Sequence, residues 1–303
     1  MILCHFAEKC HGYFAKFLGG FSRVQTFKEI FSMKKNIEAD YSSLDRPEIL
    51  MNLFHPRPEW KQTGDGNGGE DILIPVEDNI VVGARQYLCA KNAPTILFFH
   101  GNGEIVSDYD ELAPFYNRND INFLPVDYRG YGRSTGQPTV TAMMRDCHRI
   151  FHFVKEKHTG GGYTGPLLIM GRSLGSASAL ELAFHHSAQI DGLIIESGFA
   201  FSGPLLSLPG VDLGGMGLDE KSGFDNVSKI KTFFKPTLVI HAEHDHIIPF
   251  SDGQTLFDAC PAHDKTLLKI PGANHNDILA RGFLEYMTAI RNLANRIKME
   301  GLP

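Results

Sequence analysis

The sequence lacks any long apolar run and any dense cluster of basic residues. No stretch reaches the roughly 18 uncharged apolar residues that a membrane-spanning helix requires. Lys and Arg total 29 against 35 Asp and Glu, which gives a net charge of -6 and a pI near 6.1. Because a polyanion needs a concentrated positive field, nucleic acid is not expected as a partner.

Cysteines are few and lack the spacing typical of metal or disulfide motifs. The five form no CxxC pair, and the chain of 303 residues is long enough to bury a sizeable core without covalent cross-links. This usage favours a reducing compartment, so the cytoplasm is the expected location. Hydrophobic residues make up 43% and charged residues 21%, which predicts a folded, soluble protein rather than a disordered one.

Two segments of unequal length are expected, an N-terminal helix and linker over residues 1–70 and a catalytic domain over residues 71–303. Within residues 1–31, apolar residues recur at three- to four-residue spacing, which predicts an amphipathic helix. Glu8 and Lys9 interrupt the apolar run that a signal peptide needs. The helix is expected to pack on its own domain, and the alternative is a weak contact with a membrane surface.

Apolar runs alternate with helical patterns through the catalytic segment. Such alternation predicts an α/β fold with a mostly parallel sheet and helices on both faces. Residues 198–235, rich in glycine, predict a short insertion instead of a large cap. Ligand chemistry is expected at the carboxyl ends of the strands. The predicted strands are Thr95–Phe99, Asn122–Val126, Leu167–Met170, Leu193–Ile195, Thr237–Ile240 and Thr266–Ile270.

The pattern Gly-x-Ser-x-Gly occurs twice, around Ser134 and around Ser173. In a hydrolase this pattern turns a strand sharply into a helix and exposes the serine. An apolar strand precedes Ser173 and the helix-forming run 176–183 follows it, whereas Pro138 follows Ser134 too closely for a helix to start there. Ser173 is therefore predicted to be the nucleophile and Ser134 a loop residue.

A serine nucleophile needs an imidazole base and an acid that orients it. Asp245 and His275 each follow a predicted strand, in the chain order Ser, Asp, His, so they are the predicted partners. Glu243 and, more weakly, Glu196 are the alternative acids. A metal cluster of the histidines beside Asp245, at positions 241, 244 and 246, is disfavoured because they match no metal motif, and no metal is expected.

Two backbone N–H groups are expected to hold the oxyanion of a tetrahedral intermediate. Leu174, directly after the nucleophile, supplies one, and Asn102, in the turn after a strand, supplies the other. His100 and Asp127 are expected to tie loops together by hydrogen bonds.

The motifs together resemble the alpha/beta-hydrolase superfamily, and within it the Bem-type branch that includes palmitoyl-protein thioesterases. The resemblance implies an eight-stranded, mostly parallel sheet, hydrolysis of esters, thioesters or amides, and no cofactor. Those thioesterases carry a dense N-terminal cysteine cluster, whereas this chain has only Cys4 and Cys10 there, so membrane depalmitoylation is not expected. The motifs that carry the resemblance are His100-Gly101-Asn102-Gly103, residues 127–132, the Ser173 pentapeptide, Asp245 and residues 272–278.

The reaction predicted from these residues is acyl transfer from an ester or thioester of a small-molecule or acylated substrate to water. Arg172, Phe199 and Phe201 are candidate substrate contacts, although the apolar residues of this region also fit a core. Two alternatives remain open: a serine peptidase, and a catalytically silent fold used for binding.

Overall fold

A computed structural model of the chain describes residues 41–60, 69–203 and 223–300. The amphipathic helix predicted within residues 1–31, and with it the suggested membrane contact, lies outside the described residues. So does half of the glycine-rich insertion, from residue 204 to residue 222.

Eight strands form one sheet in the order β1-β2-β4-β3-β5-β6-β7-β8. β1 and β2 are antiparallel, β2 meets β4 antiparallel through one residue pair, and every pairing from β4 to β8 is parallel. The predicted mostly parallel sheet is confirmed, and the six predicted strands all occur in it. The strands are β1 Glu70–Glu77, β2 Ile80–Gln86, β3 Thr95–Phe99, β4 Asn122–Val126, β5 Leu167–Arg172, β6 Gly192–Glu196, β7 Thr237–Ala242 and β8 Lys265–Ile270.

From β3 onward a helix lies between successive strands, and the helices cover both faces of the sheet. Long crossovers of this kind are what parallel strands require. α4 packs on β3, β5 and β6, α6 on β7 and β8, and α7 on β6, β7 and β8. The helices are α1 Pro47–Leu53, α2 Ala113–Arg118, α3 Val140–Gly161, α4 Gly175–His186, α5 Asn226–Ile230, α6 Phe250–Ala259 and α7 Ile278–Glu300, which is kinked at Gly282.

The central strands are buried on both faces. Every residue of β3, β4, β6 and β7 is buried, as a sheet covered on two sides demands. Ile96, Phe98, Met170, Ile194 and Ile240 point to one side, where they join a core with α2 and α7. Because side chains alternate along a strand, the intervening residues face the opposite side, where α4 lies.

The compact unit that contains the sheet begins at Asp40, not near Asp71 as the sequence suggested. The earlier segment belongs to it because its apolar side chains are buried. Glu59 also pairs with Arg85 of β2, with Oε1 2.9 Å from Nη2. The buried apolar residues of this segment are Tyr41, Leu44, Ile49, Leu53 and Phe54.

None of the helices in the described ranges is both long and apolar enough to cross a membrane.

Candidate active site

Ser173 stands at a strained turn between β5 and α4. Its φ is +51°, in the left-handed region that side chains rarely adopt, and its N–H donates to the Glu196 carbonyl at 2.8 Å. The two flanking glycines permit the turn. A Cβ on Gly171 would lie 2.3 Å from the Gly175 carbonyl oxygen, and one on Gly175 would lie 2.1 Å from the Phe99 carbonyl oxygen. The strand-to-helix setting expected for Ser173 is therefore present.

Ser134, the second serine in a Gly-x-Ser-x-Gly pattern, lies in a loop. Its Oγ accepts a hydrogen bond from the Gly83 N–H of β2 at 2.9 Å, and its own N–H donates to the Tyr131 carbonyl. No helix follows it until Val140. Its hydroxyl holds a loop against the sheet.

Three side chains from three separate loops meet at the carboxyl ends of the strands. Nε2 of His275 lies 3.0 Å from Oγ of Ser173, and Nδ1 of His275 lies 2.7 Å from Oδ2 of Asp245. All three residues are buried. This geometry allows His275 to take the Ser173 proton while Asp245 holds the imidazole in the required tautomer.

Asp245 is kept ionised by its hydrogen bonds. Burial alone would raise the pKa of the carboxyl, but the hydrogen bond and charge of His275 and two backbone N–H donors hold it below its usual value. The donors are the N–H groups of Ile247 and Ile248, which both reach Oδ1. His244 N–H donates to the Ala273 carbonyl at 2.8 Å and so ties the Asp245 loop to the His275 loop.

The alternative acids do not reach the imidazole. Glu243 pairs with Lys269 and accepts the Gly272 N–H. Glu196 accepts the Tyr286 hydroxyl at 2.7 Å, and burial raises the pKa of its carboxyl.

The three histidines beside Asp245 do not converge. His241 is buried, and its Nε2 donates to the Ile248 carbonyl at 2.9 Å, whereas His244 and His246 are exposed. Within the described part of the chain they form no metal-like group.

Two backbone N–H groups near Ser173 are without an acceptor among the described residues, those of Leu174 and Asn102. The Asn102 turn is closed by a hydrogen bond from Glu104 N–H to the Gly101 carbonyl, and Gly103 has the positive φ, +75°, that such a turn needs at its third residue. Unpaired and rigidly held donors of this kind suit an oxyanion.

The side chain of Asn102 also links two other segments of the chain, which the sequence did not reveal. Its Oδ1 accepts hydrogen bonds from the Tyr131 hydroxyl at 2.7 Å and the His55 N–H at 2.8 Å. Asp127 ties loops as expected, since its Oδ1 accepts the Val106 N–H at 2.9 Å. Nε2 of His100 lies 3.3 Å from the same oxygen but makes no hydrogen bond to the described residues.

Arg172 lies beneath the site and joins the elbow to the base. Its Nε donates to Glu104 Oε1 at 2.9 Å, its Nη2 donates to the His275 carbonyl at 3.1 Å, and its Nη1 lies 3.6 Å from Glu196 Oε1. The guanidinium is therefore directed at protein groups, which differs from the predicted substrate contact. Sequence inspection had no signal for this network because its members come from distant loops.

The two phenylalanines predicted as substrate contacts differ in exposure. Phe199 is fully buried and packs edge-to-face on Phe224, so it belongs to the core and is not a substrate contact. Phe201 is 41% exposed and stays a candidate.

Comparison with known proteins shows which proteins this chain is similar to in sequence. A family model described as serine aminopeptidase, S33, matches residues 90–210. Human alpha/beta hydrolase domain-containing protein 17B is 28% identical over 218 residues, 69% of each chain. The aho-3 protein of Caenorhabditis elegans, also an alpha/beta hydrolase domain-containing protein, is 31% identical over 196 residues, 63% of this chain and 55% of that one.

Solved structures have the same fold. The esterase Pf2001 of Pyrococcus furiosus matches with a TM-score of 0.66 at 15% identity, over 80% of this chain and 99% of that chain. A monoglyceride lipase of Saccharomyces cerevisiae matches with a TM-score of 0.58 at 19% identity, over 78% and 97%. The chain is thus similar to proteins of the alpha/beta-hydrolase superfamily in sequence and shares their fold. Its candidate site lies where the parallel strands of this fold end, which is the usual place for a site in such a sheet.

Proposed function

We propose that this hydrolase cleaves carboxylic esters or thioesters through an acyl-enzyme on Ser173. The observation that carries the proposal is the continuous path from Ser173 Oγ through His275 to Asp245, with contacts of 3.0 and 2.7 Å. The strained backbone at Ser173 supports it, since strain of this kind is retained where it serves a function.

In the first half of the reaction, His275 Nε2 accepts the Ser173 proton as Oγ attacks the substrate carbonyl. The imidazolium that forms is stabilised by Asp245, which stays ionised. The oxyanion is held by the N–H groups of Leu174 and Asn102, each worth on the order of a hundredfold or more in rate. His275 then returns the proton to the departing alkoxide or thiolate.

In the second half, water replaces the leaving group. His275 removes a proton from the water, hydroxide attacks the acyl carbonyl, and the same two N–H groups hold the second oxyanion. Ser173 recovers its proton as the acid departs. The substrate class that we propose is a small-molecule or acylated ester or thioester, with Phe201 as the one described candidate for contact with its acyl group.

A serine peptidase is the second candidate, favoured by the aminopeptidase description of the matching family model. The same three residues serve both reactions, but an amide requires His275 to protonate an amine as it leaves. A catalytically silent hydrolase fold would need none of this chemistry.

The decisive experiment is labelling with a fluorophosphonate probe, which reacts with an activated serine. Wild type and Ser134→Ala are expected to label equally, and Ser173→Ala not at all. Labelling that survives Ser173→Ala would refute the nucleophile, and unlabelled wild type with intact folding would favour the silent alternative.

Substrate class is tested separately. A series of p-nitrophenyl esters and the matching acyl thioesters is compared with aminoacyl arylamides. We expect kcat/KM for the esters or thioesters to exceed that for the amides by at least about a hundredfold, which corresponds to about 2.7 kcal/mol. The reverse order would favour the peptidase.

A further inference from the structure

A second group of reactive side chains surrounds Glu181, at the far end of α4 from Ser173. Glu181 and His185 lie one turn apart on α4, and His148 reaches them from α3. Glu181 is buried, and no part of the proposed acyl-transfer reaction involves it.

The distances from Glu181 to the two imidazoles are those of ligands around one ion. Nε2 of His148 and Nε2 of His185 each lie 3.4 Å from Oε1 of Glu181. One possible ligand atom from each of the three residues lies within 4.8 Å of the other two. The distance of 3.4 Å is long for a hydrogen bond, whose usual range ends near about 3.2 Å. It equals the edge, about 3.4 Å, of a tetrahedron of ligands around Zn²⁺.

The second oxygen of Glu181 is already occupied. Oε2 accepts the Tyr41 hydroxyl at 2.9 Å and lies 2.7 Å from Lys229 Nζ. Hydrogen bonds to the outer oxygen orient a carboxylate so that its other oxygen is presented to a metal. Oε1 is thus left facing the two imidazoles.

His148 is oriented in the same way. Its Nδ1 lies 2.9 Å from Nε2 of His186. A metal on Nε2 of His148 requires the proton on Nδ1, and that proton then has His186 as its acceptor. His186 also stacks on Phe151, with ring centroids 4.6 Å apart, which fixes the acceptor.

Charge and access also suit a cation. The Glu181 carboxylate supplies a negative charge between the two imidazoles, and only its outer oxygen is paired with the cation of Lys229. The His185 side chain is 29% exposed, which leaves a route for an ion and for a water as the fourth ligand. Two imidazoles, one carboxylate and a water suit Zn²⁺ or a similar divalent transition metal.

We propose that His148, Glu181 and His185 form a binding site for one divalent transition metal ion of the Zn²⁺ class, separate from the Ser173 site. The ion would link α3 to α4, the helix that begins at the elbow. Its role would be to stabilise this helix pair, and it is not part of the acyl-transfer chemistry.

The test uses the full chain without a histidine tag, freed of metal by a chelator and then of the chelator. Calorimetric titration with Zn²⁺ alone is expected to show a site of one ion per chain. His185→Ala, a change at a partly exposed side chain, is expected to weaken that site at least tenfold. The matched control is His263→Ala, which removes an exposed histidine outside the cluster and is expected to bind like wild type.

Two further measurements identify the ligands. Co²⁺ is expected to give a visible spectrum of a nitrogen and oxygen site without thiolate charge transfer, and this spectrum should disappear in His185→Ala. Zn²⁺ should raise Tm for wild type and for Ser173→Ala but not for His185→Ala. Equal Zn²⁺ binding by wild type and His185→Ala, a thiolate spectrum, or no uptake by wild type would overturn the proposal.

Discussion

Arg172 shows how one buried side chain joins the turn at Ser173 to the loop of His275. Burial alone would raise the pKa of Glu104, but the Arg172 charge and the hydrogen bond from Tyr109 hold it below its usual value. The same guanidinium donates a hydrogen bond to the His275 carbonyl. The position of the imidazole therefore depends on Arg172. Buried charges that satisfy one another in this way are costly to separate.

We predict that Arg172→Met lowers the free energy of unfolding by about 3 to 5 kcal/mol, because Glu104 is left buried without its cation. We also expect kcat for ester hydrolysis to fall much more than KM changes, because His275 loses its anchor. Urea unfolding and steady-state kinetics measure the two effects. Arg172→Lys keeps the charge and should recover part of both; a stable Arg172→Met with full kcat would contradict the positioning role.

Asp245, the proposed acid beside His275, gives a second prediction, which concerns kcat. Asp245→Asn should leave the fold intact and lower kcat by about a thousandfold to ten-thousandfold, because the imidazole takes the wrong tautomer and its charge is not stabilised. Glu243→Gln, which removes a carboxylate from the same loop without touching His275, is the matched control and should retain activity. Comparable losses in the two variants would mean that Asp245 is not the acid.

Glu181 gives a prediction for stability against pH. Its pKa in the folded chain, about 2, lies below the usual Glu value, so its stabilising contribution is full above about pH 4.3 and is lost as pH falls towards 2. The contribution is on the order of 3 kcal/mol. The free energies of unfolding of wild type and Glu181→Gln should therefore differ most near neutral pH and converge as pH falls from about 4 towards 2. Glu156→Gln, an exposed change on α3, should show no such convergence.

At the scale of elements, the elbow depends on the close approach of β3, β5 and α4. The register pairs Phe99 of β3 with Gly171 of β5, and the Gly175 backbone then passes against the Phe99 carbonyl. The space for a side chain is absent, so the local pattern and the tertiary packing require the same residue.

Gly175→Ala is accordingly predicted to destabilise the fold by at least about 1 to 3 kcal/mol and to reduce fluorophosphonate labelling, because the added methyl would overlap backbone. Gly160→Ala is the control: this exposed glycine of α3 has no atom within 4 Å of an added Cβ. That variant should be unchanged or more stable by up to about 1 kcal/mol. Thermal unfolding and labelling of both variants test the prediction, and equal behaviour would contradict it.

At the scale of the whole molecule, the segment before β1 is part of the same compact unit as the sheet. Its apolar residues are buried, and Tyr41 donates to Glu181 on α4. A chain that begins at residue 40 is therefore expected to label with the probe and unfold cooperatively. A chain that begins at residue 71 should be much less stable, because it loses this apolar burial and the Arg85 partner Glu59. Equal stability of the two truncations would restore the boundary near residue 71.

The sequence by itself determined six of the eight strands, the elbow and the order of Ser173, Asp245 and His275. These features are local: an apolar run, two glycines that a sharp turn requires, and single residues placed just after strands. They gather at one edge because parallel strands end there, which is a property of the fold class and not of any particular contact.

Only the tertiary structure decided which residues surround Ser173, His275 and Asp245 and which contacts those residues make. Arg172 meets Glu104 and His275 across 68 and 103 residues of chain, and Tyr41 meets Glu181 across 140. Phe199 belongs to the core because the ring of Phe224, just before α5, packs against its ring. Such pairings depend on how helices and loops pack, and periodicity along one chain carries no information about them.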